Sequence, residues 1–423
     1  MNLPARWEAW RARGPQQLAV TLGVFLAGFF LLPSGKALNN AYYALVLAPA
    51  LFLLRGADWR WLAGSRLWRL AMLLLAYLTL SGLWSAGFSF DDWLHEAKAL
   101  PYLAVYLAVL ACVCVRRPGA WERLLRGVAL AAVVGTLLSA ALYYRAVPWP
   151  ARLEFQAAVY NANEGATLLA GCLMLVLFHM LPAARGRRRQ AGWLLAAVVL
   201  AAGIALTGSR TPLAAAGLCT GLGLALRRRW RLLGLLAASS ALAIGLLLVG
   251  GGHDRPALQR GDSYRLAIWQ QFAARVAHRP WLGEGILTDD TTQVAARDAG
   301  AAPLTMNHPH SVYLATALYG GLPAVGLLAA VAAAALWQGM LAARRGQPAW
   351  LLVLLVGLLC MLTDGDRLLH APRGIWFYFW LPVGVLLATQ AQSGSCRAPA
   401  GAAGNAEYLR VSSVGRRQPD RSK

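Results

Sequence analysis

Charge is scarce in this chain. Of its 423 residues only 14% are Asp, Glu, Lys or Arg, whereas 58% are hydrophobic, and the mean hydropathy is +0.49. So little polar surface excludes a water-exposed globule of this size and makes a bilayer the natural solvent. Lysine is nearly absent, at Lys36, Lys98 and Lys423 only, so arginine carries the net charge of +22. The arginines fall in short clusters between long apolar runs, a topology signal that excludes a nucleic-acid-binding role as their explanation. Cysteine is sparse as well: Cys112, Cys114, Cys172, Cys219 and Cys360 lie in apolar runs and Cys396 near the C-terminus. Cys112 and Cys114 point to different faces of a helix and match no zinc spacing, so the cysteines read as small buried hydrophobes. Arginines precede the first apolar run as in a signal peptide, yet no small-residue cleavage site follows, and that run reads as an uncleaved span. No inverted repeat of the transporter kind is visible.

What is present is a series of apolar windows near the length that crosses roughly 30 Å of hydrocarbon. They fall at about 17–33, 38–54, 68–86, 99–115, 125–144, 164–182, 192–208, 211–226, 232–250, 311–340, 349–363 and 374–390. Arginine placement tests the count. With Arg6, Arg11 and Arg13 on the cytoplasmic side, every second connection is basic, from Arg55, Arg60, Arg66 and Arg69 through Arg116, Arg117, Arg123 and Arg126 to Arg344 and Arg345. The opposite short connections carry only Lys36, Lys98, Arg145, Arg152, Arg210, Arg367 and Arg373. The expected fold is therefore an all-α integral membrane protein of about twelve transmembrane helices, both termini cytoplasmic, with a large external loop at 251–310 between the ninth and tenth. That loop holds six arginines and six carboxylates, and the helical spacing from Ser263 to Val276 predicts a partly helical segment. The tail 392–423, rich in Gly, Ala, Ser and Arg, reads as disordered.

The residues that bear chemistry gather on the external side. His308 and His310 bracket Pro309 just before the tenth window, on an extended segment where a histidine titrates near neutrality and accepts a proton from a hydroxyl. Solvated loop histidines share the same pattern. Arg210 sits in a tight turn, Thr207 to Pro212, on the side where a topogenic arginine has no purpose; such a residue near membrane depth points to function. A guanidinium presents a planar fork of donors suited to phosphate oxygens, and two of them hold a pyrophosphate without magnesium. Arg265 lies one helical turn before Trp269, where a surface arginine beside an aromatic reads the same way. Asn161, Asn163 and Glu164 open the sixth window and also suit a helix cap. Asp364, Asp366, Arg367 and His370 form a polar turn whose glycine accounts for the acidic spacing, so no metal is expected. His179, inside the sixth window, is expected to make a single interhelical hydrogen bond.

Together the stretches Thr207 to Pro212, Arg265 with Trp269, Pro280 to Gly285, and His308-Pro309-His310 followed by Tyr313, Leu314 and the glycines Gly321 to Gly326 resemble the O-antigen ligase family. Its relatives are the O-antigen polymerases and the protein O-oligosaccharyltransferases. One departure is Ser311, where the family commonly has Asn after the key histidine. The resemblance implies a metal-free, cofactor-free glycosyltransferase with residues 1–391 as its transmembrane domain, working on the periplasmic face of a bacterial inner membrane. It implies undecaprenyl-diphosphate-linked O-antigen as donor and lipid A-core as acceptor, amid membrane lipids and without nucleic acid. By the same resemblance His310 is the general base, chosen over His308 by its distance from Tyr313 and the glycines. Arg210 and Arg265 bind the diphosphate, attack inverts the anomeric centre, and His308, Asn161, Asn163, Tyr264, Asp366 and Arg367 are the remaining candidates for substrate contact. A polymerase or protein O-oligosaccharyltransferase is the alternative within this chemistry, the latter usually with a larger C-terminal domain. A non-enzymatic lipid-glycan transporter is the alternative outside it.

Overall fold

The computed structural model describes residues 3–249, 264–294 and 303–393. The chain is mostly α-helical, and every one of the twelve apolar windows contains helix. Among the described residues, six helices are long and apolar enough to cross a membrane: Arg66–Trp84, Phe90–Arg116, Pro118–Ala146, Ala162–Ala183, Arg187–Leu206 and Val312–Arg344. A bent pair, Gly35–Leu53 with Gly56–Ala63 at 96°, makes a seventh if counted as one span. Twelve helical windows thus do not translate directly into twelve crossings. Ala349–Cys360, for example, is twelve residues long, a rise of about 18 Å at the usual helical pitch.

The helices expose apolar residues on one face and bury small ones on the other. In Pro118–Ala146 the exposed face carries Leu130, Val134, Leu137 and Leu138, while Val128, Ala132, Gly135 and Ser139 are buried. A stripe of exposed large hydrophobics suits lipid and not water. Inside, helix contact is close because side chains are small. Gly135 faces the backbone of Phe30, and Gly203 fits between Thr136 and Leu169. Around them lies a fully buried aromatic cluster of Phe25, Tyr42, Tyr106 and Trp376, with ring centroids 4.8 Å apart for Tyr106–Trp376 and 5.0 Å for Tyr42–Trp376.

Connections meet their own kind. On the arginine-rich side Arg116 pairs with Asp58, Arg227 donates to the Phe178 carbonyl at 2.6 Å, and Ser65 reaches Gln390 at 2.7 Å. His179 lies 3.0 Å from both carboxylate oxygens of Glu122 on a neighbouring helix, the interhelical contact expected of it. On the arginine-poor side the 147–161, 207–212, 264–294 and 361–374 segments converge instead.

The expected long loop is helical at Arg265–His278, followed by an unforeseen two-stranded antiparallel hairpin of Thr292–Val294 with Leu304–Met306. The rest of the loop, at 250–263 and 295–302, and the tail from 394 lie outside the described residues. The connection before the fourth window is acidic and helical. Asp91, Asp92 and Glu96 sit on a short helix, Phe90–Ala97, whose N-cap Ser89 accepts from the Asp92 amide. The tenth window is broken as well, since Gly321 has φ 65° and ψ −164° inside Val312–Arg344. The Pro280–Gly285 segment seats in that break. Glu284 and Gly285 donate to the carbonyls of Leu318 and Tyr319 at 2.7 and 2.9 Å, and Leu322 donates to Pro280 at 2.8 Å.

Candidate functional site

A cavity of about 180 Å³ opens on the arginine-poor side, lined by Arg152, Asn163, Thr167, Gly208, Ser209, Arg210, Thr211, Pro212, Arg265, His310, Cys360, Thr363 and Asp364. Six separate stretches build it. The first is the turn between two apolar helices, where Gly208 takes φ 59° and Thr207 Oγ1 accepts from the Ser209 amide at 3.2 Å. Arg210 then becomes the first residue of the helix Arg210–Leu226.

Arg152, from the preceding external connection, holds this turn. Its Nε donates to the Thr207 carbonyl at 2.5 Å, and its Nη2 donates to Ser209 Oγ at 2.9 Å and to Asn163 Oδ1. Ser209 Oγ also lies 2.9 Å from Asn163 Oδ1, so Arg152, Ser209 and Asn163 form one knot joining three elements. With its hydroxyl engaged there, Ser209 makes no side-chain cap on its own helix.

Arg265 enters from the long loop and is likewise the first residue of a helix, Arg265–His278, preceded by Tyr264 at φ 62°. Side chains lean toward a helix's N-terminus, so both guanidiniums extend past the positive ends of their helices into one space. Two helix N-termini and two planar forks give the cavity the character of an anion site.

The same helix sets the histidine segment. Trp269 Nε1 donates to the Pro309 carbonyl at 3.2 Å. Ser311 then caps Val312–Arg344, its Oγ accepting from the Leu314 amide at 3.4 Å. Asn is an equally good cap, so serine at this position preserves the structural role of the family's usual residue.

Asp364 stands opposite. Its Oδ1 lies 3.6 Å from His310 Nδ1, too long for a hydrogen bond, and that buried nitrogen has none. Burial pushes the Asp364 carboxyl upward, but the imidazole of His310, the Gly365 amide and the positive charge of Arg265 outweigh it and hold it below the usual carboxylate value. The ionised carboxylate thus stands beside the His310 ring. The connection bearing Asp364 is itself pinned from the core: Trp376 and Trp380 donate their indole N–H groups to the carbonyls of His370 and Leu368 at 3.0 and 3.1 Å. Thr363 Oγ1 reaches Thr211 Oγ1 at 2.8 Å, tying this segment to the Arg210 turn.

Of the residues singled out in the sequence, the cavity brings together Arg210, Arg265, His310 and Asn163. Asp364 of the polar turn lines it too; the remaining candidates do not. Asn161 caps the helix Ala162–Leu175 by accepting from the Asn163 amide at 2.8 Å, and Tyr264 forms the left-handed entrance to the Arg265 helix. Asp366 takes the Arg373 guanidinium at 2.7 Å, while Arg367 joins Tyr319, Glu96 and Asp290. His308 lies against His310, with ring centroids 3.9 Å apart. Arg152 and Ser209 were not foreseen as site residues, and Asp364 was noted only as part of a polar glycine turn, not as a partner of His310. Arg152 had the same signal as Arg210, an arginine on the side where arginines are rare. Asp364 had none, because a glycine turn explains its spacing equally well. Among the described residues no group of three or more His, Cys, Asp or Glu side chains is arranged to hold a metal ion.

Fold and site together define a multi-pass helical membrane protein with a cationic, histidine-bearing cavity at one end of its helices. Comparison with known proteins gives the family. The O-antigen ligase profile matches residues 195–329, the stretch that includes Arg210, Arg265 and His310. The chain is also 30% identical over 376 residues to the O-antigen ligase of Pseudomonas aeruginosa strain PAO1, an alignment covering 86% of this chain and 88% of that protein. The chain belongs to the O-antigen ligase family.

Proposed function

We propose that the protein transfers O-antigen from undecaprenyl diphosphate to a sugar hydroxyl of lipid A-core, at the periplasmic face of the inner membrane. The observation that carries this reading is the convergence of Arg210, Arg265 and His310, from three distant segments, on one cavity. Their chemistry is complementary. The arginines and the helix ends beneath them take the diphosphate and stabilise the charge that grows on it as the glycosidic bond breaks. His310 removes the proton from the attacking hydroxyl, and Asp364 stabilises the imidazolium that results. With the diphosphate leaving on one side and the acceptor held on the other, substitution inverts the anomeric carbon. The periplasm holds no pool of nucleotide sugars, so a lipid-carried donor fits this side of the membrane. The arginines stand in place of a metal.

The orientation follows the arginine count: the cavity lies on the arginine-poor side, which is the periplasmic one if basic connections stay in the cytoplasm.

The test is reconstitution. Purified protein, lipid-linked O-antigen and lipid A-core, with chelator and without nucleotide, are expected to give a ligated product on a gel. His310→Ala and Arg265→Ala are expected to insert normally and to give none. Full activity in both variants would refute the reading. Movement of labelled donor across vesicles without covalent product would favour transport instead, and extension of the donor glycan without lipid A-core would indicate a polymerase.

A further inference from the structure

The two histidines around Pro309 are not equivalent. The backbone N–H of His310 donates to His308 Nδ1 at 3.2 Å, and the rings lie 3.9 Å apart at 51°. His310 itself sits at φ 51°, the left-handed region that non-glycine residues occupy only occasionally, histidine more often than most. An Nδ1 that accepts a hydrogen bond has no proton of its own, so the His308 ring is the neutral tautomer with its proton on Nε2. Burial first, and the facing His310 second, hold the His308 pKa below its usual value, against the opposite pull of Asp366, Asp364 and Asp290.

The geometry has a known smaller counterpart. In an Asx turn the asparagine Oδ1, attached to Cγ, accepts from the amide two residues on, and proline suits the position between because its φ is already set. Imidazole Nδ1 is also attached to Cγ. His308-Pro309-His310 is therefore an Asx turn built with a ring nitrogen.

We propose that His308 is a positioning residue: its Nδ1 holds the His310 backbone in the left-handed conformation that presents the His310 imidazole to Asp364 and to the cavity of Arg210 and Arg265. This rests on reading His310 as the base. The other hydrogen bonds on the segment act at its flanks: Trp269 on the Pro309 carbonyl, Ser311 as helix cap, and the Val312 amide on the Met361 carbonyl at 3.0 Å. None of them acts on the amide of His310. Removing the Nδ1 acceptor releases that amide and lets His310 return to an ordinary φ, which swings its ring away from the hydroxyl it serves.

The experiment compares His308→Ala with His308→Asn in purified protein, using undecaprenyl-diphosphate-linked O-antigen and lipid A-core. Asparagine keeps an acceptor on Cγ; alanine does not. Since an ångström of misplacement costs on the order of 100-fold, His308→Ala is expected to lower kcat by about that factor with KM changed less than about twofold. His308→Asn is expected to keep kcat within about threefold of the parent. An unaltered His308→Ala would overturn the proposal, and so would a His308→Asn variant as slow as His308→Ala, which would mean the ring itself is required. His310→Ala run in parallel separates the two readings, because its full activity would sink the base assignment whatever His308 does. Should the alanine variant not fold, 15N-histidine NMR of the parent decides, with the His308→Asn difference spectrum assigning the signal among seven histidines. A neutral Nε2-protonated ring at pH 7 supports the proposal, and an Nδ1-protonated or doubly protonated ring overturns it.

Discussion

Arg210 and Arg265 each stand at the first position of a helix and reach beyond its end, so charge and helix dipole act on the same point. A lysine there keeps the charge but loses the paired donors. Arg210→Lys and Arg265→Lys are each expected to lower kcat by about 10²–10³-fold, the usual loss when one donor to a developing anion is removed. Initial rates at saturating donor check this; a loss confined to KM would assign the arginine to ground-state binding alone. Asp364 makes a second residue-scale prediction. Because its folded pKa lies below the usual carboxylate value, its contribution to stability is fully present above pH ~4 and is lost as pH falls through the folded value. Asp364→Asn is therefore expected to melt below the parent at pH 7, with the gap closing toward pH 3. Melting curves of detergent-solubilised protein across that range test it, and a gap that stays constant would disprove the linkage. At this scale the residue types of Arg210, Arg265 and His310, which line one cavity, had already singled them out in the sequence. Asp364 was not recognised as the partner of His310, because the two lie 54 residues apart in the chain and no local pattern links them.

Elements explain how those side chains are aimed. The break at Gly321 lets the Pro280–Gly285 segment bond to carbonyls that a continuous helix would cover, which fastens the loop carrying Arg265 to the helix that follows His310. A Cβ on Gly321 would collide with the Trp281 carbonyl, and its φ of 65° disfavours any side chain. Gly321→Ala is thus expected to cost about 1–3 kcal/mol in stability, read as a lower melting temperature, with activity lost in step with the folded fraction. An unchanged melting temperature would show that the break is not required. Arg152 works through the turn it holds. Arg152→Gln keeps one donor group but loses the fork that joins Thr207, Ser209 and Asn163, so the Arg210 turn loosens. A rise in donor KM of about tenfold is expected, equivalent to about 1.4 kcal/mol. Full steady-state kinetics check it, and an unaltered KM would make Arg152 dispensable. The helices themselves were legible from hydrophobic windows and the Arg265 helix from its spacing. The hairpin and the Gly321 break were not, since each depends on which distant backbone groups are left to be paired.

Among the described residues Arg116 pairs with Asp58, while Arg152, Arg210, Arg265 and His310 line one cavity; the arginine pattern assigns these two groups to opposite sides. Orientation is tested in a background where Cys396 is serine. A membrane-impermeant maleimide is expected to label Thr305→Cys in intact spheroplasts and Arg188→Cys only after permeabilisation; the reverse pattern would invert the topology.

Composition, hydrophobic windows and arginine spacing were sufficient to define a helical membrane protein and an expected sidedness, because each depends on local transfer of residues between water and lipid. The cavity was decided only by tertiary structure. Its residues come from six stretches, and what brings them together is the pairing of donors and acceptors: Arg152 with Thr207, Ser209 and Asn163; Trp269 with Pro309; Thr363 with Thr211. Most of these partners lie 40 or more residues apart in the chain, beyond the reach of any local pattern.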